Sequence, residues 1–321
     1  MENPVKRISD ILREQDDFLI ASHYNPDGDA IGSICALGYI LKALGKKFTL
    51  FNQSGKPERY DYIPQPAPVT TELPETMPKW TIVMDCGAFE RMGEVLMNRA
   101  DETQIINIDH HLGNGDYGTE NWVDPSHPAV GTMVAELAHE LDIPMTGPLA
   151  EAIYVAVATD TGFFTYGNTT PAALHMTAEM LENGLDIARM NMFITKQWSE
   201  SRMRLWTEAM NAVELHNDKK IATTAITKEM FKRTGTTSED TENIINFVRR
   251  LKTVRVAAIL REEGPATYKF SLRSYGEDDV QKVAATFGGG GHKNASGGTI
   301  NATLDEAKAM LISAIGDQMD I

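Results

Sequence analysis

Short β-prone runs alternate with longer apolar patterns of helical spacing through the first two thirds of the chain. Runs at 18–22, 47–51, 80–84 and 104–108 predict strands, since each is short and rich in β-branched or aromatic residues. Helices are predicted from the apolar spacing at the following positions: 5–14, 30–44, 90–99, 130–141, 149–158, 171–183 and 187–198. The alternation predicts an α/β domain with a mainly parallel, doubly wound sheet.

Period-two patterns return in the last third of the chain. They predict strands at 220–227, 253–260 and 267–273, and the apolar spacing predicts helices at 241–251, 279–287 and 304–319. These elements suggest a smaller α/β domain with a mixed sheet. A chain of 321 residues has room for about two domains. We therefore expect domains at 1–190 and 210–321, joined by a helical linker at 191–209.

Two stretches have more than one interpretation. The Met- and Trp-rich segment 190–210 suits an apolar interdomain helix or a subunit contact in a homodimer. Phe163 and Phe164 suit core packing or stacking on a nucleobase. Both questions depend on the tertiary structure.

Acidic residues and histidines collect where predicted elements end. His23, Asp27 and Asp29 follow the first strand, Asp85 follows the run 80–84, and Asp160 follows an apolar helical pattern. The triplet Asp109-His110-His111 follows the run 104–108. Ligand-binding groups of open α/β sheets gather beyond the carboxyl ends of the strands, so these residues predict one shared site.

Carboxylates mixed with imidazoles suit Mn²⁺, Fe²⁺, Co²⁺ or Zn²⁺, whereas an all-oxygen set favours Mg²⁺ or Ca²⁺. The candidate ligands are too many for one ion, and Asp85 is the natural bridge between two. A pair of metals clamps the attacking and leaving oxygens of a phosphoryl displacement. A lone Asp after a strand is usually a cap or turn residue. Four such stretches together favour metal binding.

The segment 288–294 carries four consecutive glycines followed by His292 and Asn294. Backbone N–H groups of such a run can converge on an anion. Arg273 has a guanidinium suited to phosphate, and Ser274 follows it. We therefore expect a phosphate-binding site, whose candidate residues are Arg273, Ser274, Gly289, Gly290, Gly291, His292 and Asn294. The alternative for a glycine run is a flexible linker.

The formal net charge of −15 argues against binding long nucleic acid, which requires an extended basic face. It is compatible with a small anionic substrate, because bound metals supply local positive charge.

The two cysteines, Cys35 and Cys86, are too few for a disulfide scaffold and predict a cytoplasmic protein. Cys86 is either a soft metal ligand or a small buried residue. No segment has the long charge-free run needed to span a membrane, and the charged stretch 1–17 is not expected to be a signal peptide, because it lacks an apolar core.

The motifs His23-x-x-x-Asp27-x-Asp29, Asp85, Asp109-His110-His111 and Asp160 resemble, in order and setting, those of the DHH phosphoesterase superfamily. The glycine-rich segment 288–297 resembles the signature of the DHHA1 domain. Together they are similar to the nanoRNase/pAp phosphatase group, and the resemblance spans nearly the whole chain.

This resemblance implies two divalent cations, Mn²⁺ first, with Mg²⁺ and Co²⁺ as alternatives. It implies that His23 and Asp27 bind one ion, that Asp29, His110 and Asp160 bind the other, and that Asp85 bridges them. Asp109 is then expected to orient a neighbouring side chain, and His111 to face the substrate phosphate.

The resemblance also implies the reaction. It predicts a 3′-5′ exoribonuclease that cleaves very short RNA to mononucleotides, and a 3′(2′),5′-bisphosphate nucleotidase that converts 3′-phosphoadenosine 5′-phosphate to AMP. The first domain would cleave and the second would hold the other end of the substrate. The alternatives are a phosphodiesterase for linear or cyclic dinucleotides, an inorganic pyrophosphatase, and a non-catalytic nucleotide sensor.

Overall fold

The computed structural model of the protein describes residues 3–196 and 198–320. Residues 1, 2, 197 and 321, which fall within the predicted domains and linker, lie outside the described residues. The chain divides into two compact units, Met1–Gln197 and Trp198–Ile321. No helix among the described residues is long and apolar enough to cross a membrane.

A six-stranded sheet forms the centre of the first unit. Its order is β3-β2-β1-β4-β5-β6, and every neighbouring pair is parallel. The strands are β1 (Phe18–Ser22), β2 (Phe48–Phe51), β3 (Val69–Thr70), β4 (Trp80–Met84), β5 (Gln104–Asp109) and β6 (Glu120–Val123). In this order the chain reverses direction across the sheet between β1 and β4, which is where α/β proteins bind ligands.

Seven α-helices accompany this sheet in the described part of the unit. They are α1 (Pro4–Glu14), α2 (Gly28–Ala43), α3 (Glu94–Met97), α4 (Val130–Glu140), α5 (Gly147–Asp160), α6 (Pro171–Glu182) and α7 (Ile187–Thr195). Alternate strand residues point to opposite faces, so each strand serves two cores. Ile20 and Ile82 pack with α2, α4 and α5, while Leu19 and Val83 pack with Met92 and the region of α3.

The parallel α/β sheet predicted from the sequence is confirmed, and strands β1 and β4 have the predicted bounds. The predicted helix 90–99 is wrong as a single element. A 3-10 turn at Phe89–Met92 and the short α3 replace it, because Gly93 between them has a φ of +96°. The short strands β3 and β6 had not been predicted.

A second six-stranded sheet forms the centre of the second unit, in the order β11-β12-β10-β9-β8-β7. Its β8–β9 pair is parallel and the other pairs are antiparallel, so the predicted mixed sheet is confirmed. The strands are β7 (Glu214–His216), β8 (Ile221–Ile226), β9 (Val256–Gly264), β10 (Thr267–Ser274), β11 (Gly290–His292) and β12 (Ala295–Ile300). The helices are α8 (Glu200–Asn211), α9 (Lys228–Thr234), α10 (Ile244–Val248), α11 (Val280–Ala285) and α12 (Leu304–Met319).

Two features of this unit differ from the sequence-based expectation. Helix α8 covers most of the expected linker, and its Leu205 and Ala209 are buried with Ala222 and Ile226 in the core of the second unit. The glycine-rich segment is not wholly a loop, because Gly290–His292 forms the edge strand β11. Strands β7, β11 and β12 had not been predicted.

Candidate metal centre

Neighbouring strand ends bring the first two candidate ligands together. Ser22 of β1 pairs with Met84 of β4, so the next residues, His23 and Asp85, leave the sheet side by side. The Nε2 atom of His23 lies 3.7 Å from Oδ2 of Asp85 and 3.9 Å from Oδ1 of Asp27. His23 and Asp85 are almost fully buried, which is unusual for residues that can carry charge.

His110 lies among three carboxylates. Its Nε2 atom is 3.5 Å from Oδ1 of Asp85, 3.6 Å from Oδ2 of Asp160 and 3.8 Å from Oδ2 of Asp29. These separations are too long for hydrogen bonds and leave room for a cation among the ligand atoms. Asp85 therefore belongs to the neighbourhoods of both His23 and His110.

Close packing of α2 against α4 and α5 brings Asp29 and Asp160 to this place. A Cβ atom at Gly28 would lie 2.5 Å from Oγ1 of Thr159, and one at Gly131 would lie 2.5 Å from Cβ of Ala156. Only glycine permits these approaches. The carboxylate of Asp29 then accepts hydrogen bonds from the backbone N–H groups of Val130 and Gly131, at 2.7 and 3.0 Å, where α4 begins.

Three groups of residues can each hold a metal ion, with the ligand atoms of each group within 4.8 Å of one another: His23, Asp27 and Asp85; Asp29, His110 and Asp160; and Asp85, His110 and His111. Asp85 belongs to both the first and the third group, and His110 belongs to both the second and the third. The Oδ1 atom of Asp85 is buried and has no hydrogen-bond partner in the part of the chain that the structure describes. An anionic oxygen left without a partner is costly, and a bound cation would satisfy it. The residues present therefore fit a centre of two divalent cations.

The backbone of Asp85 is held in an unusual conformation. Its φ is +54°, in the left-handed region, and its N–H donates to the carbonyl of Ile108 at 3.0 Å. Non-glycine residues adopt this region uncommonly, and such strain concentrates at functional sites. The conformation turns the side chain of Asp85 towards both groups of ligands.

Backbone carbonyls fix the orientation of both histidines that are candidate ligands. Nδ1 of His23 donates to the carbonyl of Tyr24 at 2.8 Å, and Nδ1 of His110 donates to the carbonyl of His127 at 3.1 Å. Each bond leaves Nε2 facing the carboxylates as the available ligand atom. The contribution of His127 was not anticipated, because a backbone carbonyl has no signature in the sequence.

His111 is held differently from His110. Its Nδ1 donates to Oδ1 of Asp109 at 2.8 Å, and Asn114 donates to Oδ2 of Asp109 at 2.7 Å. Burial by itself would raise the pKa of Asp109, but these two hydrogen bonds hold it below its usual value. Asp109 belongs to none of the candidate metal groups among the described residues. Sequence reasoning missed Asn114.

The electrostatics of the centre also suit cations. Burial, followed by the neighbouring Asp85, raises the pKa of Asp160 to about 6, and burial with Asp85 and Asp160 raises that of Asp29 well above its usual value. Burial opposes the charged form of His110, but the surrounding carboxylates outweigh it and raise its pKa to about 10. Without metal, the centre therefore holds protons in place of metal charge.

The two cysteines do not take part in this arrangement. Both are buried thiols, and burial raises the pKa of Cys35 to about 12 and that of Cys86 to about 11. Cys86 donates to the carbonyl of Ala88 at 3.2 Å and lies in none of the candidate metal groups found among the described residues. Of the two interpretations of Cys86, the structure favours the small buried residue.

The candidate phosphate-binding residues of the second unit collect at one end of its sheet. Arg273 of β10 and His292 of β11 both pair with Ala295 of β12. Residues directly opposite one another in antiparallel strands point to the same face, so a methyl group separates the two cationic or polar side chains. With strands roughly 4.8 Å apart, the Cα atoms of Arg273 and His292 are about 10 Å apart.

Ser274 and Asn294 have structural partners in this region. The Ser274 hydroxyl is buried and donates to the carbonyl of Asp278 at 2.6 Å. Nδ2 of Asn294 donates to Oγ of Ser274 at 2.9 Å and to the same carbonyl at 3.0 Å. These bonds hold the loop after β10 against the β11–β12 turn, so we assign both residues a positioning role in the proposed site.

The glycines of this segment are required by packing. A Cβ atom at Gly289 would lie 2.2 Å from the carbonyl oxygen of Gly297, and one at Gly291, where φ is +137°, would lie 2.5 Å from that of Ala295. Gly290 is exposed and has open space around it. Two of the glycines thus permit close strand pairing, and Gly290 leaves the backbone of the edge strand accessible.

Comparison with known proteins identifies both units. Residues 17–157 match the model of the DHH family N-terminal domain, and residues 218–318 match the DHHA1 domain. A protein of Thermus thermophilus named bifunctional oligoribonuclease and PAP phosphatase NrnA is 31% identical over 304 residues, which are 94% of this chain and 89% of that protein. The chain belongs to the DHH family. It is a metal-dependent phosphoesterase.

Two further relatives cover nearly the whole chain. The Bacillus subtilis protein of the same name is 26% identical over 308 residues, covering 92% of this chain and 93% of that one. A crystal structure of an exopolyphosphatase-related protein from Bacteroides fragilis is 27% identical, with a TM-score of 0.89, and covers 98% of this chain and 96% of the other. The two-domain architecture is therefore shared over its full length.

Proposed function

We propose that this DHH-family protein is a two-metal phosphohydrolase that degrades very short RNA oligonucleotides to mononucleotides and removes the 3′-phosphate of 3′-phosphoadenosine 5′-phosphate. The observation that carries the two-metal reaction is the buried Oδ1 atom of Asp85, which has no hydrogen-bond partner among the described residues and lies beside two groups of ligands. The names of the relatives from Thermus thermophilus and Bacillus subtilis support the substrates.

The six ligands are assigned as follows: His23 and Asp27 to one ion, Asp29, His110 and Asp160 to the other, and Asp85 to both. Mn²⁺ is the cation we expect, with Mg²⁺ and Co²⁺ as alternatives, because imidazole and carboxylate ligands are mixed. When bound, the two cations polarise the phosphate and lower the pKa of the attacking water.

We assign His111 to the substrate phosphate. The hydrogen bond to Asp109 occupies its Nδ1 and raises its pKa, so that Nε2 carries a proton available to a phosphate oxygen. About a third of the His111 side chain is exposed, whereas that of Asp85 is buried. Gly87 permits this position, since a Cβ atom there would lie 2.9 Å from Cβ of His111.

The second unit is proposed to hold a terminal phosphate of the same substrate. Arg273 and His292 offer charge-assisted donors on the same face of the sheet, with only Ala295 between them in register. The net charge of −15 favours a short substrate, because long nucleic acid would be repelled where metals do not compensate.

An assay of the purified protein with Mn²⁺ tests the proposal. The substrates are 5′-phosphorylated dinucleotides to pentanucleotides, 3′-phosphoadenosine 5′-phosphate, cyclic dinucleotides and pyrophosphate. We expect turnover of the shortest RNAs and of the bisphosphate, and its loss with a chelator. Turnover restricted to pyrophosphate or to dinucleotides would establish the corresponding alternative. Tight nucleotide binding without turnover would indicate a sensor.

A further inference from the structure

A cleft of about 410 Å³ lies in the first unit beside the metal ligand His23. Its size falls in the usual range of small-molecule sites, roughly 300–1,000 Å³. The cleft is lined by Tyr24, Gln53, Glu90, Arg91, Gly93 and Glu94. The side chains of these residues belong to none of the candidate metal groups among the described residues.

The backbone ties this cleft directly to the metal centre. Tyr24 follows His23, and its carbonyl accepts the Nδ1 hydrogen bond that orients that ligand. The N–H of Tyr24 donates to the carbonyl of Arg91 at 2.6 Å, which joins the opposite wall. A molecule bound in the cleft would therefore lie beside His23, one of the residues proposed to hold a metal ion.

The side chains of the cleft suit a nucleobase. Tyr24 is 46% exposed, although the preceding residue, His23, is buried. Exposed aromatic rings are the usual stacking platforms for unpaired bases. Gln53 uses Oε1 to accept from the N–H of Val95 at 2.9 Å, and its Nε2 has no partner among the described residues, so it remains a donor.

The charges of the cleft argue against a second phosphate site. Glu90 and Glu94 outnumber the single guanidinium of Arg91, and none of the three forms an ion pair within the described ranges. Carboxylates repel phosphate but accept hydrogen bonds from exocyclic amino groups of bases. Uracil lacks such an amino group, whereas adenine, guanine and cytosine have one.

We propose that this cleft is the subsite for the nucleobase next to the scissile phosphate, with Tyr24 stacking on the base and Glu90 or Glu94 accepting from its amino group. The inference rests on the proposed function, since it concerns the substrate of the same metal centre. It adds a specificity for the base, which metal ions bound to phosphate would not supply. Bases bearing amino groups should be preferred over uracil.

The experiment compares Tyr24→Leu with Tyr24→Phe, which keeps a ring. The substrates are 5′-phosphorylated diadenosine, the matching diuridine, and a dinucleotide whose scissile-side nucleotide is abasic. We expect the ratio of kcat/KM for diadenosine to that for the abasic substrate to fall about tenfold in Tyr24→Leu and to persist in Tyr24→Phe. Equal losses on both substrates would overturn the stacking role and would mean that Tyr24 acts through His23 or the fold.

A separate experiment tests the contact between the carboxylates and the amino group of the base. The double variant Glu90→Gln, Glu94→Gln should reduce the preference for diadenosine over diuridine, while manganese content stays that of the wild type. An unchanged preference would overturn the carboxylate assignment.

If the wild type cleaves none of these substrates, the proposed function fails while the subsite remains testable. Calorimetry then measures the binding of AMP and of ribose 5-phosphate, which lacks the base, and so tests the subsite without turnover. Weaker binding of AMP alone in Tyr24→Leu would support the subsite, and equal binding of AMP and ribose 5-phosphate by the wild type would overturn it.

Discussion

Asp109 and His111 are joined by a hydrogen bond of 2.8 Å from Nδ1 of the imidazole to Oδ1 of the carboxylate. The adjacent His110 instead uses Nδ1 on a backbone carbonyl and directs Nε2 at three carboxylates. The Nδ1 atoms of these two consecutive histidines therefore have different hydrogen-bond partners, a carboxylate for His111 and a backbone carbonyl for His110. We propose that this difference separates a metal ligand, His110, from a residue that contacts substrate, His111.

Substitution of each histidine tests this separation. His110→Ala should lower metal content, because it removes a direct ligand. His111→Ala should retain the metal and lower the rate of phosphate hydrolysis by roughly 100-fold or more, as expected for loss of a positioned proton donor. Metal analysis and steady-state kinetics check both variants. Equal losses of metal from the two proteins would show that His111 is also a ligand.

Asp85→Asn tests the bridging role. The substitution preserves shape but removes the negative charge that two dications would share, so we expect loss of at least one ion and of nearly all turnover, with the fold intact. Asp116→Asn is a matched control, since Asp116 is exposed and has a similar left-handed φ of +51°. Substantial activity of a folded Asp85→Asn protein at saturating Mn²⁺ would contradict a dimetal centre.

The affinity for Mn²⁺ should rise with pH. The pKa of His110 is raised to about 10 and that of Asp160 to about 6, so at pH 7 the metal-free centre retains the His110 proton. Metal must displace that proton, and each proton released strengthens binding about tenfold per pH unit. Below pH 6 the protonated Asp160 should make the dependence steeper. Calorimetry in buffers of different ionisation enthalpy measures the protons released; identical heats in all buffers would contradict the prediction.

Gly131→Ala should destabilise the first unit. The new Cβ atom would approach Cβ of Ala156 to 2.5 Å. Such overpacking costs about 1–3 kcal/mol, which exceeds the roughly 0.5–1 kcal/mol gained by replacing a helical glycine. Gly167→Ala is the control, because a Cβ atom there meets nothing within 4 Å. Thermal unfolding of both variants checks this, and a raised Tm for Gly131→Ala would show that the helices can move apart cheaply.

Arg273→Ala and His292→Ala test the phosphate site of the second unit. Each substitution should leave the metal content unchanged. It should weaken the binding of substrates with an extra terminal phosphate by about ten- to a hundredfold, which corresponds to the loss of one charge-assisted contact. The measurement is the kcat/KM ratio of a 5′-phosphorylated dinucleotide to bis(4-nitrophenyl) phosphate. Lys269→Ala, which removes an exposed cation from the same strand, is the control. An equal fall in kcat/KM for both substrates would exclude a separate phosphate site.

Composition and spacing along the chain were sufficient to predict the fold class and the candidate ligands. Strand runs such as Phe18–Ser22 and Trp80–Met84 are buried on both faces, so local composition sufficed to mark them. His23, Asp85 and His110 were recognisable because each follows a strand. Parallel strands end at one edge of the sheet, and the convergence of these side chains follows from that rule.

The orientation of the candidate ligands and their surroundings depend on contacts that form only in the folded protein. The carbonyl of His127 and the N–H groups that bind Asp29 are backbone groups, which every residue possesses and no sequence pattern marks. The cleft beside Tyr24 combines residues separated by up to 70 positions, and the pairing of His292 and Arg273 across Ala295 depends on strand register. Such features arise from contacts between distant segments, and local propensity contains no information about them.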